Sequence, residues 1–205
     1  MKNDSALVVS GSFRDRDGRV YREQDRVFRG LSSAALENYR KLEKTGFYQA
    51  LLESGKIIGT RLLPEEKNPL PAAIQSQWAG FLEHQIVPVV SYPYEWSFGM
   101  LRSAALLQLD LVDQAISNGF ALKDATPYNI QFVDRKPVFI DIPSFEPMQE
   151  GQPWTGYRQF CEMFLFPLLM QSYKNTDFQP FMRGSIDGID VQAASALFGF
   201  RDRFR

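Results

Sequence analysis

Hydrophobic and polar residues alternate over short distances in the first thirty positions, a pattern typical of β-strands. ALVVSGSF is apolar and β-branched, DRDG is a turn-forming segment, and RVYREQDRVFRG alternates well enough for one or two further strands. Helical spacing follows in LSSAALENYRKLEKTGFYQALLESG, where Leu36, Tyr39, Leu42 and Phe47 share one face and Gly46 suggests a division into two helices. The first part of the chain therefore predicts a small β-rich region with one or two helices.

Two long apolar segments predict helices in the second half of the chain. SFGMLRSAALLQLDLVDQAISNGF is apolar around nearly its whole circumference, which predicts a helix buried in the core. PWTGYRQFCEMFLFPLLMQSY predicts a second helix, disturbed by Pro167. The strands NIQFV and KPVFID, joined by the turn DRK, predict a hairpin between these helices. The order of elements predicts an α+β fold.

Composition and charge narrow the class of protein. The 205 residues include 44% hydrophobic and 23% charged residues, as in an ordinary globular protein. The formal net charge is −1 and the basic residues are spread along the chain, so we expect no nucleic-acid partner. The longest apolar run, FLFPLLM, is too short to span a bilayer, and the N-terminus lacks the apolar core of a signal peptide. These features predict a cytoplasmic protein with no membrane partner.

Metal-ligating residues are scarce. The chain has one cysteine, Cys161, and one histidine, His84. Together they cannot form a disulfide or a zinc site of the usual cysteine and histidine type. A metal site in this chain would therefore have to use carboxylate and amide oxygens.

Two aspartates and an asparagine surround the predicted hairpin. Asp124 and Asn129 lie in LKDATPYNIQF, with the spacing D-x-x-x-x-N, and Asp141 ends the apolar run KPVFID. Kinases use a core helix, such a loop and a hairpin ending in Asp to gather three oxygen ligands around Mg²⁺. The alternative is that all three residues only form turns and strand ends. We favour the kinase-like arrangement, because two carboxylates at one hairpin are costly to desolvate without a charged ligand.

These residues also carry a resemblance to known families. LKDATPYNIQF and VFIDIPSFE resemble the catalytic region of the protein-kinase-like superfamily, in particular the aminoglycoside-phosphotransferase type. With SYPYEWSFGMLRSAALL, EGQPWTGYRQFCEMFLFPLLMQSY and SIDGI, they resemble a bacterial family described as class I S-adenosylmethionine-dependent methyltransferases or relatives of a nodulation protein. The second resemblance covers residues 90–189. It implies a kinase-like region that lies N-terminal to a methyltransferase domain.

The resemblance implies a two-lobed kinase-like fold with ATP and Mg²⁺ between the lobes. Residues 1–93 would form a small β-rich N-terminal lobe, and residues 94–205 a larger helical C-terminal lobe with the catalytic-loop hairpin. No G-x-G turn follows any predicted strand, so we expect no S-adenosylmethionine site in these residues. Methyl transfer would then require a further domain.

The resemblance assigns roles to four residues of the second lobe. Asp124 matches the catalytic base, and Asn129 and Asp141 match the two metal ligands. Lys123 occupies the position where many kinases have Arg, and it would steady a phosphate. The sequence departs from the usual pattern at Leu122, where kinases have His, and after Asp141, where IPSFE replaces a glycine turn.

The nucleotide-binding residues of the first lobe match less well. Gly11, Ser12 and Phe13 would form a short turn over the phosphates in place of a G-x-G-x-x-G loop. Arg29 takes the position of the phosphate-binding lysine, with Glu37 as its partner, although surface charge on an edge strand is an equal alternative for Arg29. The connector residues Tyr92, Tyr94 and Trp96 would line an adenine slot, or else only pack in the core.

The expected function is transfer of the ATP γ-phosphoryl group to a hydroxyl of a small molecule or glycan, with Asp124 as base. The alternative is a pseudokinase-like or accessory N-terminal region of an S-adenosylmethionine-dependent methyltransferase, with that domain or subunit as its partner. The missing glycine loop favours the alternative, and the complete set of Asp124, Asn129 and Asp141 favours the kinase.

Overall fold

The computed structural model describes residues 17–149 and 151–199 of the chain. The predicted phosphate-covering turn, Gly11 to Phe13, lies outside the described residues. The chain divides into two compact units between Pro88 and Val89. We call the described residues up to Pro88 unit 1 and those from Val89 unit 2. Both contain helices and strands, so the predicted α+β class is confirmed.

Unit 1 is built on a four-stranded antiparallel sheet. The strands β1 and β2 form a hairpin within RVYREQDRVFRG, for which the sequence predicts one or two strands, with Glu23 opposite Arg26. The fourth strand lies in the interior of the sheet, so that its last residue, His84, pairs with both Val27 and Thr60. The strands, in the spatial order β1-β2-β4-β3, are β1 (Gly18–Glu23), β2 (Arg26–Leu31), β3 (Thr60–Leu63) and β4 (Gly80–His84).

Side-chain caps fix where the first two helices of unit 1 begin. The hydroxyl of Ser32 accepts a hydrogen bond from the amide of Ala35, and the hydroxyl of Thr45 accepts one from the amide of Tyr48. The division of the predicted helix at Gly46 is therefore confirmed. The helices are α1 (Ser33–Glu43), α2 (Gly46–Glu53) and the short α3 (Ala72–Gln75).

A compact aromatic and aliphatic core supports the sheet of unit 1. Half-buried Trp78 packs against this core and donates a hydrogen bond from Nε1 to the hydroxyl of Tyr21, at 2.8 Å. The buried members are Tyr21, Phe28, Leu63, Leu70, Ile74 and Phe81.

His84 makes the stability of unit 1 sensitive to acid. Desolvation, together with the positive charge of Arg29, lowers the pKa of His84 from 6.5 to about 3. The unfolded chain therefore binds more protons than the folded chain between those pH values, and stability falls as the pH falls. We expect native protein to lose a few kcal/mol of unfolding free energy between about pH 6.5 and pH 4, at roughly 1.4 kcal/mol per pH unit.

Urea unfolding of native protein and of His84→Asn at several pH values measures this effect. Carboxylates titrate alike in both proteins, so the difference between the two curves isolates His84. Parallel curves down to pH 4 would show that the ring is protonated as easily in the folded chain as in the unfolded chain.

Unit 2 contains two antiparallel strand pairs. β5 (Phe120–Leu122) pairs with β8 (Phe145–Pro147), and β6 (Ile130–Val133) pairs with β7 (Lys136–Phe139). The β6–β7 pair is the predicted hairpin, and both turn residues, Asp134 and Arg135, have positive φ angles, of 48° and 67°. Two such residues are typical of a type I′ turn, which matches the twist of the flanking strands. The sequence does not predict β5 and β8, because three residues are too few to produce a recognisable alternation.

The longest helix of unit 2, α4 (Phe98–Ser117), begins at the capping hydroxyl of Ser97. The helix lies where the sequence predicts it, but the prediction that it is buried on all sides is wrong. Leu106, Leu109 and Ile116 are 53%, 42% and 43% exposed, whereas the opposite face is buried. The helix therefore lies at the edge of the core. Among the helices of residues 17–149 and 151–199, α4 included, none is long and apolar enough to cross a membrane.

The second apolar segment forms a helix with a π-helical turn in its middle. The turn covers Cys161–Leu165, where the amide of Phe166 donates to the carbonyl of Cys161, five residues earlier. Pro167, which the sequence predicts as the disturbing residue, lies at the start of the helical turn that follows. The helices after α4 are α5 (Tyr157–Phe160), α6 (Phe166–Lys174), α7 (Gln179–Gly184) and α8 (Val191–Leu197).

Candidate functional site

The hairpin brings Asn129 and Asp141 together. The Nδ2 atom of Asn129 donates a hydrogen bond to Oδ2 of Asp141 at 3.2 Å. The main chain closes the same junction, where the amide of Ile140 donates to the carbonyl of Asn129 at 2.8 Å. Asp141 is only 9% exposed. Two of the three predicted oxygen ligands therefore lie side by side at the end of the β6–β7 hairpin.

Ser144 joins the segment of Asp141 to that of Asp124. The amide of Ser144 donates to the carbonyl of Asp141 at 3.0 Å, and its own carbonyl accepts from the amide of Lys123 at 3.0 Å. The buried hydroxyl of Ser144 also accepts a hydrogen bond from the amide of Asp124, at 3.4 Å. The loop that carries Asp124 is thus bonded directly to the turn that follows Asp141.

Side chains next to α5 hold the other edge of the Asp124 loop. Trp154 donates from Nε1 to the carbonyl of Leu122 at 2.8 Å. Thr155 donates from its hydroxyl to the carbonyl of Lys123 at 3.3 Å. The Oε1 atom of Gln159, in α5, accepts from the amide of Ala125 at 2.7 Å.

Gln108, on the buried face of α4, completes this set of bonds. Its side chain is fully buried and donates from Nε2 to the carbonyl of Asp124, at 3.2 Å. Every main-chain polar group from the carbonyl of Leu122 to the amide of Ala125 therefore has a partner. Such a loop holds the Asp124 side chain in position before any ligand arrives.

Removing one of these loop bonds is expected to destabilise the protein. Gln159→Leu would leave the amide of Ala125, a fully buried residue, without its acceptor. The expected loss is about 1–3 kcal/mol in the free energy of unfolding, the usual penalty for a buried unsatisfied donor. Urea unfolding checks this value. Gln152→Leu, which removes an exposed bond to Gln149, is the control and should change stability by less than about 0.5 kcal/mol. Equal effects of the two substitutions would contradict the role of Gln159.

Lys123 lies beside the site, and its ammonium group forms an ion pair with Glu146. Its Nζ atom is 3.7 Å from Oε1 of Glu146, in β8. The pairing of Ala121 with Glu146 in the β5–β8 ladder places Glu146 next to the start of the loop. Both side chains are partly exposed, so this pair contributes little to stability and would yield readily to a ligand.

The side chains of the site fit a hard cation only when the amide oxygen of Asn129 is counted as a ligand. Within residues 17–149 and 151–199, no three His, Cys, Asp or Glu side chains are grouped to hold a metal. The carboxylate of Asp141 and the amide oxygen of Asn129 would supply oxygen ligands, the type that Mg²⁺ prefers, beside the phosphate oxygens of a nucleotide. Burial of the Asp141 carboxylate is itself costly, and a bound cation would offset that cost. The residues present therefore fit a magnesium ion.

The three connector aromatics occupy different environments. Trp96 is 1% exposed, donates from Nε1 to the hydroxyl of Ser91 at 2.9 Å and meets Phe132 edge to face. The packing alternative is therefore the better description of Trp96. Tyr92 is 44% exposed and stacks on Tyr94, with ring centroids 5.5 Å apart and nearly parallel planes. These two rings are accessible for an adenine base to contact, and their role stays a prediction.

The connector is tied to the hairpin on which the site is built. The side-chain amide of Gln131, in β6, both accepts from the amide of Ser91 and donates to its carbonyl, at 2.9 and 3.0 Å. Burial and the neighbouring Tyr94 raise the pKa of Tyr128, in the loop between Asp124 and Asn129. Tyr94 therefore lies close to the candidate site.

Arg29 and Glu37 lie in unit 1. Arg29 is half-buried in β2, an interior strand of the sheet, opposite Val20 and Leu82, so an edge strand does not describe it. Glu37 is 68% exposed on α1 and pairs with Lys41, one turn later, at 2.8 Å. This pairing lowers the pKa of Glu37. Glu37 therefore has a partner other than Arg29, and a nucleotide-binding role for either residue stays a prediction.

Three residues that hold the loop, Gln108, Ser144 and Gln159, were not predicted from the sequence. The sequence does contain an indication for Gln108, because this residue interrupts a face of α4 made of Leu101, Ala104, Leu111 and Ala115. A single amide on such a face indicates a buried hydrogen bond. Ser144 and Gln159 left no such signal, since each acts on a main-chain group far away in the sequence.

Comparison with known proteins gives one informative similarity. No protein-family model matches the chain. The chain is 40% identical over 185 residues to Nodulation protein NoeA of Rhizobium meliloti (strain 1021), an alignment that covers 88% of this chain and 37% of that protein. The expected similarity to a bacterial nodulation protein is confirmed. The chain spans little more than a third of the length of this relative.

Proposed function

We propose that the protein is a kinase-like, Mg²⁺-dependent phosphotransferase whose phosphoryl-transfer site lies at the β6–β7 hairpin of unit 2. The observation that carries the proposal is the junction of three segments. Asn129 bonds to Asp141, and Ser144 bonds the turn after Asp141 to the loop of Asp124. The combination of a β-rich unit 1 and a largely helical unit 2 supports a two-lobed kinase-like fold.

Asp141 and Asn129 are the residues that would hold the cation. Bound Mg²⁺ would neutralise charge on the phosphates of ATP. The hydrogen bond from Asn129 orients the Asp141 carboxylate and leaves the amide oxygen of Asn129 as a further ligand for the cation. Lys123 would exchange its contact with Glu146 for a phosphate oxygen.

Asp124 would act on the acceptor hydroxyl. Its carboxylate accepts the hydroxyl proton as the acceptor oxygen forms a bond to the γ-phosphorus and the bond from that phosphorus to the ADP oxygen breaks. The products are a phosphorylated acceptor, ADP and a proton on Asp124 that passes to water. The bonds to the main chain of Asp124 keep its carboxylate in place during this step. An enzyme that consumes ATP in this way fits a cytoplasmic location.

A second candidate is a module that binds nucleotide and serves a longer protein without turnover. The observation that favours it is the length of NoeA, of which this chain spans only 37%. In this case Mg²⁺ and ATP would still bind at Asp141. No ADP would form with any acceptor, and a methyltransferase domain would be the partner to seek.

Calorimetric titration of ATP into the native chain, with excess Mg²⁺ and then with a chelator, tests the proposal. We expect saturable binding with Mg²⁺ and at least a tenfold loss of affinity without it, because the phosphates would then meet buried carboxylates with no cation between them. Binding that is equal in both conditions, or no binding at millimolar ATP, would overturn the phosphotransferase proposal. ADP release, followed in the same samples, separates it from the second candidate.

A further inference from the structure

An open cleft of about 470 Å³ lies beside Asp124 in unit 2. Lys123 and Asp124 form its loop side. The other lining residues lie just before, within and after α5, namely Thr155, Arg158, Gln159, Glu162 and Asp187. Asp124, the proposed base, is thus one of the residues that line this cleft.

We propose that this cleft binds the acceptor and that the acceptor is a hydroxyl-rich molecule or sugar unit without negative charge. The inference rests on the proposed function for the role of Asp124. The binding site itself stands on the lining alone.

The chemistry of the lining matches hydroxyl groups. All seven lining residues carry polar or charged side chains. They combine donors, such as the guanidinium of Arg158, with acceptors, such as the carboxylate of Asp187, and with the Thr155 hydroxyl and Gln159 amide, which do both. A hydroxyl also donates and accepts, so several hydroxyls on one molecule can satisfy such a lining. An apolar acceptor would leave these groups without partners.

The two cations of the cleft are matched within the protein. The lining holds the cations Lys123 and Arg158 and the carboxylates Asp124, Glu162 and Asp187, so negative charge is in excess. Arg158 contacts Glu162 through Nε at 2.8 Å, and Lys123 lies 3.7 Å from Glu146. An anionic acceptor would compete with these carboxylates for their cations and meet Asp124 and Asp187. The charge of the lining therefore disfavours an anionic acceptor.

The wall that carries Asp187 is held rigidly by the π-helical turn. The amide of Phe166 donates to Cys161, so it does not reach the carbonyl of Glu162, and Pro167 has no amide hydrogen to replace it. The amide of Ile189 donates to this carbonyl instead, at 2.9 Å.

Gly188 allows this close approach. Its φ is +82°, and a Cβ atom there would clash with the Glu162 carbonyl oxygen. Asp187 is consequently fixed at the cleft by the two residues that follow it, and this side of the cleft exists before an acceptor binds.

Titration of ¹⁵N-labelled full chain, without nucleotide or Mg²⁺, tests the cleft directly. The probes are inositol and glucose as neutral polyols, glucosamine as a cation and glucuronate as an anion. We expect glucose, inositol and glucosamine to shift the amide signals of Thr155, Gln159 and Asp187, and glucuronate to bind at least tenfold more weakly than glucose. Asp187→Asn, a substitution of an exposed residue, should weaken glucose binding several-fold. Glu66→Gln, in unit 1, is the control.

Binding of glucuronate as tight as that of glucose would overturn the proposal, as would the absence of shifts at the cleft with every probe. Shifts with neutral polyols, in a protein that does not bind Mg²⁺ and ATP, would support the cleft as a binding site and contradict the phosphotransferase function. Binding of Mg²⁺ and ATP without polyol shifts would support the nucleotide site and contradict the cleft as the acceptor site.

Discussion

Asp124→Asn is expected to lower the rate of phosphoryl transfer by about 10²- to 10⁴-fold, the usual contribution of a general base. The amide of Asn has the same shape as the carboxylate but cannot accept the hydroxyl proton. The loop should keep its structure, because Ser144 and Gln108 bond to the main chain of residue 124 and not to its side chain. The initial rate of ADP formation from ATP and Mg²⁺, with the neutral polyols as acceptors, measures the change.

Asp113→Asn provides a control of equal charge. Asp113 lies on the exposed face of α4, and its substitution should leave the rate unchanged. Affinity for ATP with Mg²⁺ should also survive in Asp124→Asn within a few-fold, since Asp141 and Asn129 remain. Full activity of Asp124→Asn would remove Asp124 from the reaction.

Trp96→Ala is expected to reduce the free energy of unfolding by about 3–5 kcal/mol, the range for large aromatic residues removed from a core. Its ring is 1% exposed and packs edge to face on Phe132, and its main-chain carbonyl accepts a hydrogen bond from Gln179. The substitution also removes the hydrogen bond that Nε1 of Trp96 donates to the hydroxyl of Ser91. Urea unfolding in the absence of nucleotide measures the loss, so a binding role cannot contribute to it.

Tyr92→Ala is the matched control in the same connector. Tyr92 is 44% exposed, and its loss should change stability by at most about 0.5–1.5 kcal/mol, the value of its stacking on Tyr94. If Tyr92 stacks on an adenine base, the same substitution weakens ATP binding. Similar destabilisation by the two substitutions would contradict the assignment of Trp96 to the core.

Local patterns predicted the elements that carry the candidate site. The periodicity of α4 and the alternation on either side of DRK depend only on nearby residues, and both agree with the structure. The meeting of Asn129 with Asp141 follows from the hairpin, because its short turn leaves the two strand ends adjacent.

Contacts between distant residues were beyond such patterns. The bonds that hold the Asp124 loop join it to Gln108, Ser144 and Gln159, which lie 16 to 34 residues away. Nothing in a local pattern specifies which main-chain group a glutamine will reach. The π-helical turn is a second example. Pro167 predicts a disturbance of the helix, but the carbonyl of Glu162 within that turn is bonded by the amide of Ile189, which lies far along the chain.

Paramagnetic broadening by Mn²⁺ in the presence of ATP tests most directly whether the hairpin holds a divalent cation. Mn²⁺ accepts the same oxygen ligands as Mg²⁺ and broadens amide signals close to it. In native protein we expect broadening of the amides of Asp124, Asn129, Ile140 and Ile142, and its loss in Asp141→Ala but not in Asp113→Ala. Broadening confined to other parts of the chain, or unchanged in Asp141→Ala, would contradict the account.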